Sequence, residues 1–344
     1  MLSVQIVLFD GFDLLDAIAP YEVFSAAAMN AEGALSVEFV TAEGPRSVTS
    51  GINGVAIEAS GRLNPEQAGI ILVPGAAGDV EGDGPDSIPA ILGQAMNTEL
   101  TGMMRQAFAQ QDVVVATVCG GSLLLAMGGL LEGRPAVTHH MGMDVLGATG
   151  AIPVPARVVD DGNLVSGGGV TSGLDVALYL VERELGPRVA HAVERLFEFE
   201  RRGTVWRESG MAPGRQQARA GAETNAAADQ SLMTDDPSDL TPAESSAFEG
   251  NWEATIATPV GKLEVKLSIG ARNGMIQGIA EQGNETVEFV NPALQAGKLV
   301  WLLPVTKPMR LNLKFEVTAD GDRMTGTVKA GMLPASKLTG RRIS

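Results

Sequence analysis

Cysteine is almost missing from this chain of 344 residues, which carries one, Cys119. A single thiol excludes an internal disulfide and a cysteine-built zinc site. Lysine is missing from the first 261 residues, all of it lying from Lys262 onward. Positive charge is scarce overall: 25 Lys+Arg face 41 Asp+Glu, a net charge of −16. That balance argues against nucleic acid or an anionic membrane as partner. The start, Met1-Leu-Ser-Val-Gln, has no basic stretch and runs straight into a strand pattern, so no signal peptide is expected and the cytoplasm is the default. The apolar run between Asp112 and Glu132 is about long enough to cross a bilayer. Gly120, Gly121, Gly128 and Gly129 interrupt it and β-branched residues open it, so a membrane span is not expected.

What is present suits two domains: the length exceeds one typical unit, and 45% hydrophobic residues can build real cores. The charges divide along the chain. The first 245 residues hold 32 acidic against 13 basic side chains, the last 99 hold 9 against 12, a contrast that points to two modules of separate origin.

The first module is organised around Val113-Val-Val-Ala-Thr-Val-Cys119-Gly-Gly-Ser. The β-branched run Val113 to Val118 predicts a buried strand of a parallel sheet, and an apolar helix is predicted over Ser122 to Leu130. Between them, small-x-Cys-x-small at Thr117 to Gly121 is the pattern of a nucleophile elbow, a sharp turn that lifts one side chain above the sheet. The helix behind it aims N–H groups and a dipole at the turn, so Cys119 is expected to titrate below the free-thiol value of about 8.5. The alternative reading is a buried cysteine in a glycine-rich strand end.

Around the elbow, strands are expected at Val4–Phe9, Ser36–Thr41 and Gly69–Val73, with a hairpin or an edge excursion over Val48–Ile57. A helix is expected at Leu14–Ala28, kinked or restarted at Pro20, and others near Thr98–Gln110 and Met141–Leu146. The loop Ala76–Pro89 reads as glycine- and aspartate-rich. A short strand at Val137–His139 and a strand pair at Ala156–Val159 and Asn163–Ser166 precede helices at Ser172–Glu184 and Arg188–Arg201. Alternating strands and helices predict a doubly wound α/β domain over residues 1–202, with ligands at the carboxyl ends of the strands.

Residues 203–246 are rich in Ala, Gln, Ser, Asp, Thr and Pro without a period, and read as a flexible linker whose first part, from Trp206, could dock. Limited proteolysis is expected to cut first between Arg207 and Ser246. Residues 247–344 alternate with period two, as in Met309, Leu311, Leu313, Phe315 and Val317. With recurrent turn signals they predict about eight strands in a small antiparallel barrel or sandwich. Gly250-Asn-Trp252 and Thr339-Gly-Arg341 resemble calycin barrels, in which an early Trp packs against a late Arg. Such a barrel is either filled by its own side chains or hollow for a ligand.

Four ordered segments of the first module resemble the ThiJ/PfpI superfamily, within the class-I glutamine-amidotransferase-like, flavodoxin-like fold, and its isonitrile hydratase branch in particular. They are Leu14-Leu-Asp16-Ala-Ile-Ala-Pro20-Tyr-Glu22; Leu72-Val-Pro74-Gly75; the Cys119 elbow with Gly129-Leu-Leu-Glu-Gly133-Arg134 and Thr138-His139; and Asn163-Leu-Val-Ser-Gly-Gly-Gly169-Val-Thr-Ser-Gly173-Leu-Asp175. The resemblance implies that Asp16 lies against the thiol and handles a proton, and that His139 stands near it. It implies that backbone N–H groups at Gly75, Ala76 and Gly120 hold developing charge. This chain has Gly120 where isonitrile hydratases carry Thr, and Ala76 in a turn that is otherwise Pro-Gly-Gly.

The implied activity is hydration of an isonitrile to an N-substituted formamide by a cysteine nucleophile. A glyoxalase- or amidase-like use of the same thiol, or a non-enzymatic thiol sensor or ligand-binding protein, is the alternative. No cofactor and no metal is implied; the expected partners are a small-molecule substrate and a second copy of the chain in a homodimer.

Overall fold

The computed structural model describes the chain except residues 52–53, 81–83, 212–246, 259–260, 273–274, 283–284, 296, 306–310, 331–334 and 344. It contains two large sheets, one parallel but for a single antiparallel pair, the other antiparallel throughout. Among the described residues no helix is long and apolar enough to cross a membrane.

The first sheet is built on β1 (Leu2–Val7), β2 (Leu35–Thr41), β5 (Gly61–Arg62), β6 (Gly69–Val73), β7 (Val113–Val118), β10 (Val158–Asp160), β11 (Leu164–Gly167) and β12 (Trp206–Arg207), ordered β12-β10-β11-β7-β6-β1-β2-β5. β6 and β11 are buried at every position, as strands covered by helices on both faces must be. The short strands β3 (Arg46–Thr49) and β4 (Ala56–Ala59) form the expected hairpin, while β8 (Pro135–Ala136) pairs with β9 (Ile152–Pro153) where a strand was expected slightly later. The chain steps from β1 to β2 on one side and then to β6 and β7 on the other. The reversal at β1 opens a crevice above the carboxyl ends of β1, β6 and β7.

Helix α1 (Leu14–Asn30) leaves β1 through Asp13, whose side chain caps it by accepting from the N–H groups of Leu15 and Asp16. It runs unbroken through Pro20, so the helix does not restart there. Pro20 instead lies where α1 meets α6 (Ser172–Leu185): a Cβ at Gly173 would sit 3.2 Å from its ring, so glycine lets the two helices close. The loop after β6 contains a helix with no counterpart in the expectation, α2 (Ile88–Met96), capped by Ser87 and followed by α3 (Leu100–Phe108). The elbow helix α4 (Gly121–Met127) is followed by α5 (Met143–Ala148), and α7 (Pro187–Phe197) follows α6.

Trp206 and Arg207 lie in the stretch expected as linker and form β12, parallel to β10. Arg207 pairs with buried Asp160 at 3.2 Å and hydrogen-bonds Tyr179, which anchors the chain to the sheet edge. The rest of the expected linker, residues 212–246, falls outside the described residues.

The second sheet runs from β13 (Gly250–Thr258) through β14 (Gly261–Arg272), β15 (Met275–Gln282), β16 (Glu285–Glu288), β17 (Val290–Gln295), β18 (Lys298–Val305), β19 (Leu311–Asp320), β20 (Arg323–Ala330) and β21 (Ser336–Arg342). β13 pairs with both β14 and β21, and the nine strands curl into a nearly closed barrel. Alternation decides the inside: Leu313, Phe315 and Val317 are buried, Asn312 and Lys314 are exposed. Trp301 stacks between Phe289 and Phe315, with ring centroids 4.4 and 4.7 Å away. Among the described residues, buried side chains pack the interior, and a cavity of about 20 Å³ lies beside Ile256, Val265, Leu303 and Phe315.

The Trp–Arg contact is present one residue later than expected. Arg342 sits over the buried Trp252 ring at 4.2 Å and donates to the carbonyls of Ala247, Glu249 and Gly321. The register explains the correction: Trp252 pairs with Arg342, whereas Arg341 pairs with Glu253 and points outward. Arg342→Ala should therefore destabilise the barrel by about 2–3 kcal/mol, the sum of a desolvated cation–π contact and charged hydrogen bonds. Arg341→Ala should stay within about 0.5 kcal/mol. Equal unfolding midpoints for the two variants would contradict this placement.

Candidate active site

Three strand ends meet above the sheet. Asp16 follows β1, Gly75 follows β6 and Cys119 follows β7, and since these strands are neighbours their loops converge. Cys119 adopts φ +53°, a left-handed conformation for a residue with a side chain. Such a conformation costs roughly 1–2 kcal/mol and marks the elbow anticipated from the small-x-Cys-x-small pattern. The double glycine has two separate reasons. A Cβ on Gly121 would lie 2.2 Å from the Val73 carbonyl oxygen, so glycine is required for the helix to start there. At Gly120 a Cβ would meet nothing nearer than 3.4 Å, so glycine leaves space rather than relieving a clash.

Asp16 is completely buried. Its Oδ2 accepts the Gly75 N–H at 2.9 Å, its Oδ1 is buried without a hydrogen-bond partner among the described residues, and the carboxyl and the Cys119 thiol shift each other's titration. Burial, then the charge of Asp13, push this carboxyl up from an ordinary 3.8 to about 8, against the pull of the Gly75 N–H and the thiol. Gly75 is thus committed: a Cβ there would stand 2.6 Å from the Gly120 nitrogen and 2.8 Å from Asp16 Oδ2. Its N–H, expected to hold charge on a substrate, holds the acid instead.

Ala76 differs. Phe12 and Ala76 form an isolated antiparallel bridge in which Ala77 N–H donates to Gly11 and Asp13 N–H to Gly75. This pattern turns the Ala76 N–H away, and it has no acceptor among the described residues. Its nitrogen is 3.5 Å from where a Gly120 Cβ would be, which places it beside the elbow.

The expectation of a low thiol pKa is overturned. Burial and then the Asp16 carboxylate push Cys119 well above its ordinary range, and the Gly120 N–H bonded to the sulfur opposes this only in part. The physical reason is dimensional: α4 has only seven residues and Cys119 is 8% exposed, so loss of water outweighs a short helix's dipole. Asp16 and Cys119 titrate as a pair, and near neutral pH that pair retains both protons.

His139 is half-buried, its Nδ1 accepts the Met141 N–H as a cap, and its ring tilts against His140 at 4.3 Å. Burial and His140 lower its pKa, and its charge is not among the influences on the Cys119 thiol. The residue that reaches the elbow is its neighbour Thr138, which donates to the Cys119 carbonyl at 2.7 Å. The sequence shows Thr138 only as part of a matching segment, with no role attached, and it gives no sign of Asp13 as a cap.

A model of the DJ-1/PfpI family matches residues 2–183. The chain is 41% identical over 130 residues to the isonitrile hydratase of Pseudomonas putida, covering 38% of this chain and 51% of that one. It is 30% identical over 97 residues to Protein DJ-1 homolog A of Arabidopsis thaliana, 28% of this chain and 25% of that one. The match therefore spans about half the hydratase's length and a quarter of the plant protein's. Among solved structures, a ThiJ/PfpI family protein from Pseudomonas syringae is similar at TM-score 0.49 and 26% identity, covering 58% of this chain and 76% of that chain. Drosophila melanogaster DJ-1beta is similar at TM-score 0.48 and 18% identity, covering 58% and 98%.

Proposed function

This chain belongs to the DJ-1/PfpI family, and on that footing we propose that it is an isonitrile hydratase-like lyase with Cys119 as nucleophile and Asp16 as proton carrier. The observation that carries the reading is a fully buried carboxyl, held by the Gly75 N–H beside the left-handed Cys119, where burial raises its pKa to about 8. The similarity to the Pseudomonas putida hydratase supports it.

An isonitrile carbon bears a lone pair and takes a proton as it accepts a nucleophile. Asp16 gives its proton to that carbon while Cys119 Sγ bonds to it, and the carboxylate so formed takes the thiol proton. The result is an N-substituted thioformimidate on Cys119, with Asp16 protonated again. Water adds to the imidate carbon, its proton passing to nitrogen through Asp16. The C–S bond then breaks and the sulfur recovers a proton from the new hydroxyl, releasing the N-substituted formamide. The sum is isonitrile plus water to formamide, with no redox change. Because the thiol proton is transferred within the pair, a raised thiol pKa is compatible with catalysis. The Ala76 and Gly120 N–H groups carry the charge that develops at the reacting atoms.

The test is formamide formation from cyclohexyl isonitrile, followed by mass spectrometry. Wild type should produce N-cyclohexylformamide and Cys119→Ala none above the uncatalysed rate. No product from wild type, or equal product from both, overturns the proposal.

A further inference from the structure

The segment Val137–Thr138, just after β8, is tied to every part of the elbow. Ser122 Oγ, in α4, donates to the Val137 carbonyl at 2.7 Å and therefore accepts from Thr117 Oγ1, in β7, at 2.6 Å. The Val137 N–H donates to Ser166 Oγ in β11 at 3.0 Å. Thr138 Oγ1 donates to the carbonyl of Cys119 itself at 2.7 Å, while the Cys119 N–H donates to Gly167 at 3.0 Å. Both peptide groups of the left-handed residue are therefore held by partners outside its own turn. All four hydroxyl residues are buried, Thr138 being 1% exposed.

We propose that Thr138 is a positioning residue for the Cys119 chemistry: its hydroxyl clamps the carbonyl of the strained elbow residue and thereby aims the sulfur at Asp16. The argument is geometric. A non-glycine residue returns to negative φ unless its surroundings prevent it. That rotation turns the Cα–Cβ bond and swings Sγ away from the carboxyl. The hydroxyl acts through the Cys119 carbonyl and touches no reacting atom. The assignment rests on Cys119 being the reactive thiol, and its test does not require an isonitrile.

The experiment compares wild type with Thr138→Val and Thr138→Ser as full chains, reading the pH profile of Cys119 alkylation by iodoacetamide. Released from Asp16, the thiol of Thr138→Val should move by at least one pH unit toward the ordinary value of about 8.5. Where turnover is measured, kcat should fall at least tenfold with KM changed less than threefold. Thr138→Ser keeps the donor and should restore the wild-type profile. Should Thr138→Val not fold, Thr138→Ala removes the same donor without an added methyl and is read in the same way. An unchanged profile in a folded variant, a loss of thermal stability alone, or a shift that Thr138→Ser fails to reverse overturns the assignment. Absence of hydration by wild type would end the hydratase reading and leave this one standing.

Discussion

Asp16→Asn should leave the protein more stable than wild type at pH 7 and almost without turnover. The wild-type carboxyl titrates at about 8 in the folded chain and near its ordinary 3.8 when unfolded. The folded state therefore binds the extra proton between those values, and its stability falls as pH rises through that window. The contribution of this group is complete below the unfolded value and lost by the time pH passes the folded one. At about 1.4 kcal/mol for each pH unit, the deficit at pH 7 is on the order of 4 kcal/mol. Asparagine keeps an oxygen for the Gly75 N–H and a donor toward the thiol but does not titrate. The variant should gain about 2 kcal/mol or more at pH 7 and progressively less toward pH 4. Turnover should drop by roughly a hundredfold or more, the usual scale of a lost acid–base group. In wild type, kcat/KM should decline above about pH 8 as the acid ionises. Urea titrations of both proteins at pH 4, 6 and 8 check the sign. A stability difference that is negative, or flat with pH, would show that Asp16 is not held protonated by the fold.

The two glycines after the thiol should behave as opposites. Gly121→Ala places a Cβ 2.2 Å from the Val73 carbonyl oxygen and 3.0 Å from that of Pro74, both backbone atoms with nowhere to go. The start of α4 must back away from β6, so the expected loss is at or above the upper end of the roughly 1–3 kcal/mol typical of overpacking. The Gly120 N–H moves with the helix and leaves the sulfur, so thiol chemistry fails even where the chain still folds. Gly120→Ala meets only contacts of 3.4–3.5 Å, from Gly75, Ala76 and Leu92, and should stay within about 1 kcal/mol of wild type. Thermal midpoints and alkylation rates of the two variants decide the matter. Equal tolerance at both positions would mean that the strand-to-helix turn is not packed against β6.

Local patterning in the sequence was enough for a good part of this. The β-branched run and the small-x-Cys-x-small spacing located β7, the turn and α4, because burial on both faces and a sharp turn leave compositional marks within a dozen residues. Period-two alternation located the barrel strands for the same reason. The resemblance of four ordered segments pointed to Asp16, whose burial no periodicity could reveal, since it is a charged residue type in an apolar helix.

Tertiary structure decided the rest. Gly75 donates to Asp16 across 59 residues and Thr138 to Cys119 across 19, separations at which no local rule links donor to acceptor. The choice of Arg342 over Arg341 depended on the register between the first and last barrel strands. The direction of the Cys119 titration depended on how much water three converging loops exclude. Helix dipole and elbow pattern are properties of the local chain, and they favour a thiolate. Burial and the adjacent carboxyl arise only when β1, β6 and β7 lie side by side, and in a nearly dry site they outweigh a seven-residue helix.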